Sequence, residues 1–316
     1  MLSAFLTTLM QMIRIMLFLV VGFGLNRLRI LPKGAGAGIS RLVTTVLLPA
    51  MLIHSNMTEF NLADVGAYVE LVLLGCLLWT VVTIPCLFIA KGLSGGDYLE
   101  RGVYLYGLSF PNSSAVGTPL TLAILGTAGL FQFNLFLLIF VITTYSWGVN
   151  LFFESDRKNP IKRFLLHMIN PVFIAMVIGL ALGALNAKSW MPQMLVGFIG
   201  DIGACFVPVS LIMVGYSIAD YPLGDVFKRP KSYIFTALRL VIIPVTVLLI
   251  VKLMGVTKET AAIVTFAFAG PSGMNVVVFP SAYGKDCKTG ASIVLLSSIG
   301  ALITVPLLYA LVQIMF

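Results

Sequence analysis

A stretch of poor helix formers, "LSFPNSSAVGTPL" (Leu108–Leu120), lies inside a segment that is otherwise apolar. Proline lacks an amide donor and clashes with the carbonyl one turn earlier, and glycine loosens the backbone further. A second stretch of this kind, "FAGPSGMNVVVFP" (Phe268–Pro280), follows about 160 residues later. We therefore predict two helices that are each interrupted near the middle.

The chain around these stretches is far more apolar than a water-soluble protein. Of its 316 residues, 59% are hydrophobic and only 10% are charged, and the mean hydropathy is +1.04. Soluble domains are about one quarter charged. The net charge of +8 comes from basic residues in short loops between apolar segments, so no basic patch for nucleic acid is formed. We predict an all-α polytopic membrane protein embedded in the lipid bilayer, with no nucleic-acid partner.

Ten segments are apolar enough to span a membrane, since a span needs about 20 mostly apolar residues. They are centred on residues 6–26, 38–58, 66–90, 101–124, 130–153, 164–186, 194–218, 231–253, 258–282 and 291–315. Lysine and arginine concentrate in the loops after the odd-numbered segments. Because cytoplasmic loops carry the basic excess, both termini are expected outside the cytoplasm, in a plasma or bacterial inner membrane. The first segment is interpreted as a retained span and not as a signal peptide.

The two halves of the chain share a pattern of prolines. Shifting the second half by 159 to 160 residues aligns four pairs, namely Pro32 with Pro192, Pro49 with Pro208, Pro85 with Pro244 and Pro111 with Pro271. This register predicts a duplication of five spans, with repeats at 1–158 and 159–316. Because five is an odd number, the second repeat must be inverted in the membrane, which is a plan of secondary transporters.

The matched interruptions predict a binding site. Backbone groups that proline frees cannot face lipid and must line a protein-buried or watery cavity. The N-terminal end of a half-helix favours anions, so a carboxylate suits such a site. Polar side chains beside the breaks add neutral hydrogen-bonding groups. They are Asn112, Ser113, Ser114, Ser272 and Asn275.

Three charged residues fall inside predicted spans. Arg14 and Asp201 lie about 12 Å and about 10 Å from the outer starts of the first and seventh spans. A lone charge at such depth costs about 3 kcal/mol, so we expect an Arg14–Asp201 ion pair, with either a structural or a proton-coupling role. Arg239 lies about 12 Å inside the eighth span. It is expected to contact substrate, to cap carbonyls of a broken helix, or to extend towards the inner face.

The broken segments resemble those of a known family. "FPNSSAVGTPL" is similar to the fourth-span motif of the auxin efflux carrier (PIN-like) family, a Pro-Asn pair followed by Gly-x-Pro-Leu, and "GPSGMNVVVFPSAYG" resembles its ninth-span crossover. The resemblance implies a fold related to bile acid–sodium symporters, in which broken spans four and nine cross. Spans one, two, six and seven would form a scaffold that dimerises. Spans three to five and eight to ten would form a transport domain that moves like an elevator.

The resemblance also implies a function and site residues. Relatives carry organic anions, auxin in plants and malonate or malate among bacterial members. Pro111, Asn112 and Pro271 match the family motif directly. Tyr145 in span five lies where relatives place a polar site residue, although no proline there fixes the register.

Two other functions are considered, namely a different kind of transporter and an enzyme. The main rival is a sodium-coupled organic anion symporter of the bile-acid type. The crossover has no Asp or Glu between Arg101 and Phe153 or between Thr260 and Gly284, which favours proton coupling or uniport while leaving sodium open. We expect no enzyme, because paired acids, H-E-x-x-H and a Ser/His dyad are lacking in the spans. No cofactor or metal is expected.

Overall fold

The computed structural model describes residues 2–32, 35–152, 171–219, 228–282 and 288–316. This part of the chain is mostly helical and contains no β-strand. By length and composition, seven described helices can cross a membrane, and they are Leu9–Arg27, Ala35–Glu59, Leu62–Ser94, Thr118–Phe136, Gln193–Ser217, Pro230–Leu253 and Lys288–Met315. A shorter apolar helix spans Pro171–Ala184. The prediction of a helical multi-pass membrane protein is confirmed.

The described helices are numbered in chain order. In the first half they are α1 (Leu2–Arg27), α2 (Ala35–Leu42), α3 (Leu48–Glu59), α4 (Val65–Ser94), α5 (Tyr98–Ser109), α6 (Thr118–Phe136) and α7 (Leu138–Ser146). In the second half they are α8 (Pro171–Ala184), α9 (Ala187–Trp190), α10 (Gln193–Ala204), α11 (Phe206–Ile218), α12 (Pro230–Ala237), α13 (Ile243–Leu253), α14 (Lys258–Phe268), α15 (Asn275–Ala282) and α16 (Lys288–Met315). The expected repeat boundary at 158/159 lies outside the described residues.

In the part of the chain that the structure describes, three wide, π-helical turns interrupt the regular helices, and each ends two residues before a proline. The turns are Val43–Leu47, Ser113–Gly117 and Leu238–Ile242, and the prolines are Pro49, Pro119 and Pro244. Proline cannot donate to the carbonyl four residues earlier and its ring collides with it, so a wider turn relieves the strain. The prolines of the sequence pattern therefore shape the helices locally.

Both helices that were predicted to be interrupted are divided in the structure. α5 ends at Ser109, and extended residues separate it from the turn Ser113–Gly117 that leads into α6. α14 ends at Phe268, and α15 begins at Asn275. Gly126 divides α6 into the pieces 118–125 and 127–136, with a φ of +71° that glycine adopts readily.

Helices at matching positions in the two halves pack in a reciprocal way. α1 packs against α11, while α8 packs against α3. With the 159-residue shift, α1 corresponds to α8 and α3 corresponds to α11. The α1–α11 contact is close because Gly22 and Gly215 leave no room for a side chain against the facing backbone.

Polar contacts join helix ends at two separate places. Arg229 Nη1 donates to Thr289 Oγ1 (2.7 Å), and that hydroxyl donates to Glu100 Oε1 (3.0 Å). These bonds bring the starts of α5, α12 and α16 to one end. At a second place, Lys188 Nζ donates to Thr58 O (2.7 Å), which joins α9 to the end of α3.

Candidate functional site

The two interruptions cross and are bonded to each other through the backbone. Asn112 N donates to Pro271 O (2.7 Å), and Gly273 N donates to Phe110 O (3.2 Å). Pro111 and Ser272 thereby form an isolated antiparallel bridge. Each break satisfies backbone groups that the other has freed, which is what a non-helical backbone needs in a membrane protein. We call these two segments, residues 110–112 and 269–274, the crossover.

Four helix ends meet at the crossover, and their dipoles fall into two pairs. α5 and α14 end there, so they present carbonyl groups with partial negative charge. The turn that starts at Ser113 and helix α15 that starts at Asn275 begin there. The first amides of a helix have no acceptor within it, so these two ends carry partial positive charge.

Arg239 occupies the negative side of the crossover. Its Nη1 donates to Leu108 O (3.0 Å), its Nη2 to Phe268 O (3.0 Å) and its Nε to Gly270 O (3.2 Å). The side chain is 0% exposed. Arg239 therefore caps the carbonyl ends of both broken helices, which is the second of the roles considered from the sequence. All three guanidinium nitrogens donate to carbonyl groups of the protein, and the predicted contact of Arg239 with a substrate stays a prediction.

Other predicted site residues surround the crossover with a mixture of bonded and free polar groups. Ser113 Oγ donates to Ala267 O (3.0 Å), and Asn275 Nδ2 donates to Tyr106 OH (2.7 Å). Ser272 Oγ is buried without a hydrogen-bond partner. Among the described residues, the half-buried side chain of Asn112 has no hydrogen-bond partner either. Asn112 and Ser272 are thus the predicted residues with unused hydrogen-bonding capacity.

Two further residues help to hold the crossover in place, and sequence reasoning missed both. Tyr106 holds Asn275, and Ser297 Oγ of α16 accepts the bond from Ser272 N (3.1 Å). Ser297 carried a weak signal, because it is one of two adjacent serines in an apolar span. The side chains of Ser114 and Tyr145 lie outside the described part of the structure, so their predicted roles stay predictions.

A cavity of about 480 Å³ lies beside the half-helix that follows the crossover. It is bordered by α1, α3, α10 and α11 on one side and by α6 on the other. Most of its lining is apolar, and Arg14 and His54 supply basic groups. Ser55 Oγ in the lining is buried and has no hydrogen-bond partner. The size and lining are typical of a small-molecule pocket with a few polar anchors.

The expected ion pair between Arg14 and Asp201 is not formed. Both side chains belong to the described part of the chain, both are exposed, and no ion pair joins them. The physical reason is the packing of the helices. α1 packs on α11, whereas Asp201 lies on α10, which packs on α3, and the cavity separates Arg14 from α10.

The described residues contain no cluster of three or more His, Cys, Asp or Glu side chains that could hold a metal ion. The comparison with curated proteins gives no match. A family model described as "Membrane transport protein" matches residues 7–309, which is nearly the full chain. Crossed interruptions, apolar helices and this match agree, and the chain belongs to the membrane transport protein family, the auxin efflux carrier family that its fourth-span motif resembles.

Proposed function

We propose that the protein is a secondary transporter of small organic anions, with the substrate carboxylate bound at the crossover. The observation that carries this proposal is that two half-helices begin at the crossover, at Ser113 and at Asn275, beside unused polar groups of Asn112 and Ser272. Amides at a helix N-terminus bind carboxylates and phosphates without further charged groups. The family supports transport in general, and the crossover chemistry favours anions.

The charges at the crossover support a preference for anions. Arg239 binds the carbonyl ends of α5 and α14, so the negative dipole ends are neutralised. The positive ends at Ser113 and Asn275 have no acidic side chain within the crossover segments. A carboxylate entering this region would therefore meet a positive potential.

The proposed architecture has ten spans in two inverted repeats of five and works by an elevator-like movement. The reciprocal packing of α1 on α11 and of α8 on α3 supports the inverted repeat. The cavity is bordered by the scaffold helices α1, α3, α10 and α11 and by α6. It supports a boundary between a scaffold and a transport domain. Movement along this boundary would alternate the access of the crossover.

The remaining features of the proposal concern the membrane and the assembly. Both termini are proposed to lie outside the cytoplasm of a plasma or bacterial inner membrane. The bonds that gather the basic connections near Arg229 at one end support this orientation. A homodimer through the scaffold helices, and coupling to protons or to sodium, stay predictions from the resemblance.

Transport assays test the proposal. The purified protein is reconstituted in liposomes, and counterflow of labelled malonate, malate and indole acetate is measured. Saturable counterflow of at least one acid is expected, with a loss of about 10-fold or more in Asn112→Ala, since removing a polar group that binds substrate costs about 1.5 kcal/mol or more.

Asn61→Ser serves as the matched control, because Asn61 is exposed in a connection and serine still caps the following turn. Its transport should equal that of the wild type. Equal transport in Asn112→Ala and in the wild type would contradict the site. Transport of cations or sugars, with no counterflow of any acid, would contradict the substrate class.

A further inference from the structure

The crossover contains a place that has the ligands of a cation site. Three main-chain oxygens, from Leu108, Phe268 and Gly270, surround one cationic group at the carbonyl ends of two separate half-helices. Unwound carbonyls and half-helix C-terminal ends are the groups with which broken-helix transporters coordinate Na⁺. Carbonyl oxygens also replace the hydration shell of alkali ions in channels.

In this protein a side chain fills that place. Arg239 lies in the wide turn Leu238–Ile242, at the level of the crossover, and is fully buried. Its three nitrogens divide between the two broken helices, one at the end of α5 and two at the end of α14. Within the described residues Arg239 has no carboxylate partner, so the carbonyl dipoles are what balances its charge.

The choice of arginine follows from this geometry. A guanidinium group has donors on three nitrogens held in one plane, and it keeps its charge in nearly every environment. A lysine is also cationic, but its donors share one nitrogen, whereas the guanidinium of Arg239 presents a separate nitrogen to each of the three oxygens. Burying the guanidinium without these bonds would be prohibitively costly, so its position depends on both half-helices being present.

We propose that Arg239 acts as a tethered cation at the crossover, in the place that a coupling Na⁺ would take, so that neither folding of the crossover nor transport requires Na⁺. The independence of transport from Na⁺ rests on the proposed function, but the cation site itself does not. Arg239 is thus a positioning residue. It holds two carbonyl ends together and leaves the two amide ends to an anion.

Thermal unfolding of the purified full-length protein in detergent tests this proposal without any substrate. The wild type is heated in NaCl and in choline chloride of equal ionic strength, and the same melting temperature is expected in both. Arg239→Ala should melt at a lower temperature in choline. In Na⁺ or methylguanidinium it should regain about 5 °C in a concentration-dependent way, because these cations can occupy the vacated carbonyl site.

A specific stabilisation of the wild type by Na⁺ would overturn the proposal. So would an Arg239→Ala protein that melts equally early with every cation, since Arg239 would then only fill space. Arg239→Lys is the matched variant, because it keeps the positive charge but loses the planar guanidinium with donors on three nitrogens. Added cations should stabilise Arg239→Lys less than they stabilise Arg239→Ala.

If Arg239→Ala does not fold, the wild type still decides the question. Counterflow should proceed at the same rate in Na⁺ and in choline, and ²²Na⁺ should not bind to the purified wild type. Stimulation by Na⁺ or binding of ²²Na⁺ would overturn the proposal. A wild type whose stability ignores Na⁺ but which carries no organic acid would contradict only the proposed function.

Discussion

Two arginines in the apolar part of the chain have opposite environments. Arg239 is 0% exposed and donates to three carbonyl groups from two helices, whereas Arg14 is exposed and borders a cavity of about 480 Å³. The sequence pattern presented both as charges within spans that need a partner. The difference shows that the partner of a buried cation can be the backbone itself, when proline has broken a helix and freed its carbonyls.

The surroundings of these two arginines also differ in how tightly they are packed. At the crossover, close approaches and buried hydrogen bonds leave little space, so small changes there should affect stability as well as transport. Beside the cavity the exposed side chain of Arg14 has room to change, so a substitution of Arg14 should affect substrate handling more than folding. Variants near the crossover should therefore lose more stability than variants beside the cavity.

The tight packing beside the crossover, at the end of the turn Ser113–Gly117, predicts a large effect for Gly117→Ala. A methyl group on Gly117 would lie 2.5 Å from Phe133 Cζ and 2.8 Å from Phe266 O, and the latter is backbone that cannot easily move. Overpacking of this kind costs about 1–3 kcal/mol. We expect a lower melting temperature and loss of counterflow. Gly24→Ala is the control, because nothing lies within 4 Å of a methyl group there. Equal melting temperatures for the two variants would contradict the tight packing.

The buried hydrogen bond of Ser297 predicts an intermediate effect. Ser297→Ala leaves the amide of the fully buried Ser272 without its acceptor, and an unsatisfied buried donor costs about 1–3 kcal/mol, with the lower end reached if water enters. Melting temperature and amide exchange at Ser272 measure the loss. Ser189→Ala, which removes only an exposed bond to Asn186, should change neither. Unchanged exchange at Ser272 would show that this bond does not hold the crossover.

The open environment of Arg14 predicts the smallest effect on stability. Because Arg14 is exposed beside the cavity, Arg14→Gln should change the free energy of unfolding by no more than about 0.5 kcal/mol. The KM for an anionic substrate should rise and depend less on salt, since a positive charge near the entry is lost. Arg41→Gln, an exposed arginine outside the cavity lining, is the control. A strong destabilisation by Arg14→Gln would mean that Arg14 has a structural partner.

Sequence reasoning located the crossover well because its signal is local. Pro111 and Pro271 break helices wherever they occur, and the polar residues beside them stand out in apolar segments. The predicted Arg14–Asp201 ion pair was wrong because a contact between two helices has no such local signal. Matching depths along two helices do not specify how each helix is rotated or which helix is its neighbour, and only Arg14 of the two residues borders the cavity.

The sequence by itself determined the class of protein, the interrupted helices and the family, because hydropathy, basic loops and proline positions act through the membrane and the local backbone. Only the tertiary structure decided that the two breaks bond to each other, that Arg239 caps both of them, and that Tyr106 and Ser297 hold the crossover. These contacts join residues from 25 to 169 positions apart. They depend on how helices rotate and pack, which no short stretch of sequence records.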